Sequence, residues 1–178
     1  MKTLISDILA IRGKIEHNNV FWVLLLALRY LISSRSFREV FLYRVGHACR
    51  HVFLVHELLC IFQSWFGRMA IPFTVKIGPG LKLPHPYGLV IIYDAVIGAR
   101  AQIFQDVTVG VNFGKALDGR RSPIIGDDVV ICSGAKVLGP VTVGNKVIIG
   151  ANSVVLKDVP NNTIVAGVPA KKVGTFNF

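Results

Sequence analysis

From Ile77 to Val155 the chain repeats itself every six residues, and few folds tolerate that period. Ile77, Leu83, Ile91, Ile97, Ile103, Val109, Ile125, Ile131, Val137, Val143, Ile149 and Val155 are all aliphatic. Only the steps from 83 to 91 and from 109 to 125 depart from six. Small or apolar residues recur four places later, at Ala95, Ala101, Val107, Ala135, Val141 and Val147. Glycine often follows the aliphatic position, as at Gly78, Gly98, Gly126, Gly144 and Gly150. A hexad is too short for a helix–turn unit, but it fits one short strand plus one corner, which is the repeat of a parallel β-helix. Three hexads close a triangular coil, with the aliphatic side chain inward and Gly, Asn or Asp accepting the corner backbone. Twelve hexads give about four coils, each burying its apolar layer only by stacking on the next. The expected class is mainly β.

Residues 1–72 follow a different period and are expected to form a separate helical region before the β-helix of 73–178. Ser36 and Glu39 have capping-box spacing. They open a stripe Phe37, Phe41, Val45, Ala48, Val52, Val55, Leu59 at steps of three and four. Segment 20–32 is apolar nearly all round and needs a cover. Packing against another subunit is one cover. Insertion into an anionic lipid interface, helped by Arg29, Arg35, Arg38, Arg44 and Arg50, is the other.

Hydrophobic residues make up 52% of the chain and mean hydropathy is +0.56, yet no apolar run approaches the ~18 residues of a spanning helix. The charged start, with Asp7, Arg12, Lys14 and Glu16, does not read as a secretory signal. The expected location is therefore the cytoplasm, either free or peripheral on the inner face of the membrane. Cys49, Cys60 and Cys132, unpaired in spacing, read as buried free thiols. The net charge of +10 is spread over both regions with no recognition-helix motif, which argues against nucleic acid and for anionic lipid or a phosphorylated ligand.

Four of the five histidines lie in the helical region. His47 and His51 have metal-compatible i,i+4 spacing but no third ligand, so no metal is expected. His85, in "LPHPYG", is alone in the β-helix. It reads either as a polar corner or as a general base, since a single neutral imidazole can take the proton of a hydroxyl as it attacks a thioester. Counting within hexads stacks His85 under Gln105, then Ser133, then Ala151 along one prism edge. Gln105 there is either a solvated rung residue or a partner of the imidazole or acceptor.

The stretches "IGARAQIFQDVTVG", "IGDDVVICSGAKVLGPVTVGNKVIIGANSVVLKDVP" and "AGVPAKKV" resemble the left-handed β-helix acyltransferases over residues 76–174. Within them the chain looks most like the serine acetyltransferases and their colanic-acid and capsular polysaccharide O-acetyltransferase relatives. The resemblance implies left-handed coils, a homotrimer with sites in the clefts between prisms, and acetyl-CoA as cosubstrate. It implies His85 as general base and a pantetheine arm along the edge, near Val111, Ser133, Gly134 and Ala151. Lys171 and Lys172 would face the nucleotide phosphates.

Several positions depart from the serine acetyltransferase pattern. The carboxylate that orients the family's histidine corresponds to Ala70, and the aspartate beside that histidine to Pro84. The acceptor-side Arg–His pair corresponds to Arg121 and Ser122. Asp94, Asp106 or a main-chain carbonyl could orient His85 instead. A zwitterionic acceptor needs paired charges once it leaves water. With only Arg121 left, the expected acceptor is a sugar hydroxyl, free or lipid-linked, held by Gln105 and the face of Tyr87. Serine O-acetylation and a non-catalytic scaffold are the alternatives.

Overall fold

The computed structural model describes residues 3, 5–8, 20–66, 69–114 and 116–176. Among the described residues, 5–8 are helical, and the helices described in full are α1 (Val20–Ser33), α2 (Arg35–Ala48) and α3 (Phe53–Phe66). Thirteen short strands follow: β1 (Lys76–Ile77), β2 (Val90–Ile91), β3 (Val96–Ile97), β4 (Gln102–Ile103), β5 (Thr108–Gly110), β6 (Ile124–Ile125), β7 (Val130–Ile131), β8 (Lys136–Leu138), β9 (Thr142–Val143), β10 (Ile148–Ile149), β11 (Val154–Val155), β12 (Thr163–Ala166) and β13 (Lys171–Thr175).

The strands form three faces of a prism, ordered β1-β3-β6-β9, β2-β5-β8-β11 and β4-β7-β10-β12, with β13 extending the last. Every pairing is parallel except the antiparallel β12–β13. The hexad's inward positions line the interior as expected. Leu83, Ile103, Val109, Ile131, Val137 and Ile149 are fully buried, and so are Ala101, Val107, Ala135 and Val147 four places on. Ile77, at the first coil, is only partly buried.

The glycines that follow the aliphatic positions do a second job beside that of the corner glycines. Gly78, Gly98, Gly126 and Gly144 form a column in which a Cβ would meet the backbone of the next coil. At Gly98 it would lie 2.5 Å from the Gly126 carbonyl carbon, and at Gly126 2.9 Å from that of Gly144. The left-handed corner conformation falls as expected to Gly80, Gly88, Gly134, Asp106, Asp128 and Asn152, and also to Arg100 and Lys146, with φ between 54° and 80°. Polar side chains bridge the coils at these corners: Asp127 Oδ1 accepts from Ala99 N at 2.8 Å, and Asn145 Oδ1 from Asp127 N at 2.7 Å.

The helices close the open end of the prism. An uncapped β-helix would present its apolar interior layer to water, and α2 covers it. Val40 and Tyr43 pack with Met69, Ile71, Phe73 and Val75 in one core with the coils. Gly46 lies so close to the Phe73 ring that a side chain there would displace it. The Tyr43 hydroxyl donates to Val75 O at 2.6 Å, and burial pushes its pKa up to about 12. Arg44 donates to the carbonyls of Ile77 and Gly78 at 2.7 and 2.6 Å. It also pairs with Asp7, whose buried Oδ1 accepts from Gly80 N and Leu81 N at 2.8 and 2.9 Å.

The helical expectation needs three corrections. The N-cap is Ser34, not Ser36: its hydroxyl accepts from Phe37 N at 3.3 Å. The single stripe from Phe37 to Leu59 is broken at Cys49, where α2 ends, and restarts in α3. The buried face of α2 is Phe37, Val40, Tyr43 and Gly46 rather than Phe37, Phe41 and Val45: the prism end buries Val40, Tyr43 and Gly46, and Phe37 packs on Ala27 of α1 and on Ile8. In segment 20–32, the side chains of residues 20–23 lie outside the described set; from Leu24 on, Leu24, Leu25, Leu28 and Ile32 are exposed. None of the three cysteines is in a disulfide, and each is only partly buried. Among the described residues, no helix is long and apolar enough to cross a membrane.

Candidate functional site

His85 sits in the corner between the bridge Lys82↔Gln102 and strand β2. Prolines on both sides fix the local φ and remove backbone donors, so the imidazole is held out on the prism edge. It is exposed, and among the described residues it has no side-chain partner. The backbone closes tightly behind it, with Tyr87 N donating to His85 O at 2.8 Å.

Strand register brings the expected edge together. Lys82 pairs with Gln102, Gln102 with Val130, and Val130 with Ile148. His85, Gln105, Ser133 and Ala151 each lie three residues beyond those partners, so they succeed one another along the prism. Cross-coil bonds tie the corner together, from Gly134 N to Gln105 O and from Asn152 N to Ser133 O, both at 2.9 Å. The amide oxygen of Gln105 is buried without a partner. A buried acceptor left unpaired costs about 1–3 kcal/mol, so this oxygen is well placed to take a donor from an incoming group.

Other expected residues fall elsewhere. Val111 follows β5 and lies on a different edge, where Gly110 O accepts from Gly139 N at 2.9 Å. The single edge expected to hold both Val111 and Ser133 is therefore two edges of one chain. The Gly134 amide is spent on Gln105 O, leaving the Ser133 amide as the free donor among the described residues of that corner. Lys171 and Lys172 stand exposed on β13, paired with Ala166 and Val165 at the far end of the face that carries Gln105 and Ser133. Arg121 is exposed at the end of the loop 111–122.

Asp94 does not serve His85. It accepts a short hydrogen bond from the buried Ser122 hydroxyl, on the edge beyond β2. Asp106 remains on the His85 side: its backbone N donates to Tyr87 O at 2.9 Å, and its carboxylate lies over Gly88. His47 is committed to Phe73 O at 2.7 Å, and no group of three metal-binding side chains converges among the described residues.

Sequence reasoning missed two arginines. Arg120 clamps the loop by donating to the carbonyls of Ser122, Pro140 and Val141, at 2.9, 3.0 and 3.2 Å. Arg35, at the start of α2, places its guanidinium 5.4 Å from the centre of the Tyr87 ring. It is exposed and has no ion pair among the described residues. Nothing in a linear sequence links position 35 to position 87; only the capping of the prism by α2 brings them together.

Residues 122–157 match the family model for the bacterial transferase hexapeptide (six repeats). The serine acetyltransferase of Escherichia coli (strain K12) is 39% identical over 151 residues, 81% of this chain and 53% of its own length. That of Bacillus pumilus is 36% identical over 145 residues, 80% of this chain and 66% of its own. The chain thus spans between half and two thirds of the length of these curated relatives. Among solved structures, Neisseria gonorrhoeae serine acetyltransferase in complex with serine superposes with a TM-score of 0.79 at 29% identity, covering 97% of this chain and 68% of that one. Brucella abortus serine acetyltransferase in complex with coenzyme A gives 0.79 at 30%, covering 99% and 68%.

These findings overturn the sugar hydroxyl as acceptor, since relatives at 36–39% identity are serine acetyltransferases. The expectation counted only charges within the coils, and the helices bring a further cation, Arg35, beside Tyr87. A closer kinship to colanic-acid or capsular enzymes finds no support either. By the coils, the register and the capping helices alike, the chain belongs to the hexapeptide-repeat transferases, as a serine acetyltransferase-like left-handed β-helix protein.

Proposed function

We propose that the chain is an acetyl-CoA-dependent serine O-acetyltransferase with His85 as general base. The observation that carries this reading is the position of His85. It stands exposed at the head of an edge continued by Gln105, Ser133 and Ala151, in a chain that aligns over four fifths of its length with serine acetyltransferases. In this reading the imidazole takes the serine hydroxyl proton as the oxygen attacks the thioester carbonyl carbon. The tetrahedral oxyanion is met by rigid backbone donors such as the Ser133 N–H. Collapse breaks the C–S bond, and the imidazolium returns its proton to the departing thiolate.

Acetyl-CoA would lie along the same face, with Ala151 and Gly134 lining the arm and Lys171 and Lys172 meeting the phosphates. Gln105 would offer its unpaired oxygen to the imidazole or to an amide of the arm. Arg35, stacked on Tyr87, supplies the cation that a serine carboxylate needs, and Asp106 supplies an anion for the ammonium. Arg121 and Val111 lie on the loop edge and are assigned to the face turned toward a neighbouring prism of a homotrimer. The cytoplasm, where acetyl-CoA is available, is the assigned compartment.

The test is release of CoA thiol by the purified protein with acetyl-CoA and L-serine, with O-acetylserine identified by mass. Serine-dependent release supports the reading. Acetyl-CoA binding without turnover would identify a non-catalytic scaffold.

A further inference from the structure

The helices carry a surface that the acyl-transfer site does not use. Helix α3 turns Leu59, Cys60 and Gln63 inward: the first two pack on the prism core, and Gln63 donates to Ile71 O at 3.1 Å. Its opposite face is also apolar. Leu54, Leu58, Ile61, Phe62 and Trp65, spaced i, i+4, i+7, i+8 and i+11, form one stripe, with Leu54 73% exposed and Trp65 81%. Phe53 stands exposed at the start of the same helix. Soluble monomers leave apolar patches of this kind only where something binds.

We propose that this outward face of α3 seats the protein on an anionic phospholipid surface. Three observations select lipid over other covers. The first is charge: Arg50 and Arg68 bracket the helix in the sequence, Arg50 is exposed, and so is Arg38 on α2, the helix that packs on α3. Against these, Glu57 is the one exposed acid among the described residues 24–63. A second copy of the chain docking on the same stripe, in either orientation, would bring cationic flank against cationic flank, whereas anionic headgroups neutralise them.

The second is composition. The stripe has aromatics at its ends, Phe53 at one and Phe62 and Trp65 at the other, with Leu54, Leu58 and Ile61 between. That order suits a helix lying in the interface plane, with its aromatic rings at headgroup depth. The third is length. Fourteen residues span about 21 Å, short of a ~30 Å hydrocarbon core, so the helix lies on a bilayer rather than through it. The exposed Leu24, Leu28 and Ile32 of α1, which packs on α2, form a further apolar stripe. The proposal stands apart from the catalytic reading and does not depend on it.

The experiment is vesicle flotation of the full chain with phosphatidylcholine alone and with added phosphatidylglycerol. Binding is expected on the anionic vesicles, falling at least tenfold on phosphatidylcholine alone or in 0.5 M salt. Trp65→Ser, at a position too exposed to be needed for folding, is expected to weaken binding about tenfold with oligomeric state unchanged, and Arg50→Gln about fivefold. Quenching of tryptophan fluorescence by brominated lipid, lost in Trp65→Phe, reads the same contact directly. Failure to float with anionic vesicles overturns the proposal. So does a Trp65→Ser or Leu58→Glu protein whose oligomer dissociates, since a second copy would then be the cover.

Discussion

Replacing Asp7 by asparagine tests how the helical cap is tied to the coils. The carboxylate is fully buried and holds four donors: the backbone N–H groups of Gly80 and Leu81, and Arg44 Nε and Nη2 at 2.8 and 3.1 Å. An asparagine keeps one acceptor oxygen and turns the other into an NH₂ facing a guanidinium. The bond from Arg44 Nε is lost, the remaining acceptor oxygen is neutral, and Arg44, whose side chain is only 13% exposed, keeps its charge without a counterion. Breaking a buried pair in this way costs about 3–5 kcal/mol. Because the two Arg44 bonds to Ile77 and Gly78 carbonyls survive, the lower end, about 3 kcal/mol, is the expected loss. Urea unfolding at pH 7, followed by far-UV circular dichroism, measures it as a lower midpoint at unchanged slope. The double variant Asp7→Asn with Arg44→Met is expected to lose less than the sum of the single losses, because each single change strands the other group. A loss under 1 kcal/mol, or strict additivity, would refute the idea that this pair fastens the cap.

His85→Ala is expected to lower turnover at least ~100-fold, with acetyl-CoA binding retained by calorimetry, because the hydroxyl proton loses its positioned acceptor. Arg35→Gln is expected to raise the KM for serine about tenfold while leaving that for acetyl-CoA unchanged, the signature of a carboxylate partner. Gly126→Ala drives a methyl into the Gly144 backbone and should cost about 1–3 kcal/mol in a thermal melt, whereas Gly114→Ala meets nothing within 4 Å and tests strain at φ 89° alone. The Arg100 guanidinium, bonded at 2.6 Å, holds the Asp128 carboxyl below its ordinary range. A depressed folded value means stability that is present above the usual carboxylate range and lost as the pH falls through the lower one. Arg100→Gln should flatten acid unfolding in that window, by no more than about 1 kcal/mol for so exposed a pair.

The coils were legible because each hexad makes its own statement: Ile103 or Ile131 points inward whatever lies beyond, so the period survives without three-dimensional knowledge. The edge His85–Gln105–Ser133–Ala151 was legible for the same reason, as simple counting reproduces stacking. What counting could not supply was which of three edges a residue joins once a loop intervenes, and Val111 was misplaced accordingly. Asp94 could not be assigned because its partner, Ser122, is distant in sequence and reaches it only through the loop clamped by Arg120. In the helices, periodicity allowed several faces of α2, and only the shape of the prism end chose Val40 and Tyr43. Arg35 was read as one more surface cation until the fold set it over Tyr87.

That the cap precedes the coils along the chain also bears on synthesis. A coil has no free-standing stability, so the first one needs a finished apolar surface to condense upon. The helices leave the ribosome before residue 70, so α2 is available as a template when Met69 to Val75 emerge, and each later coil inherits the one before. Growth then proceeds in one direction, at the pace of translation, with a single exposed rung at any moment. A permuted chain with the helices moved behind Thr175 would keep every residue and lose that order, and its nascent coils would wait open-ended for their lid.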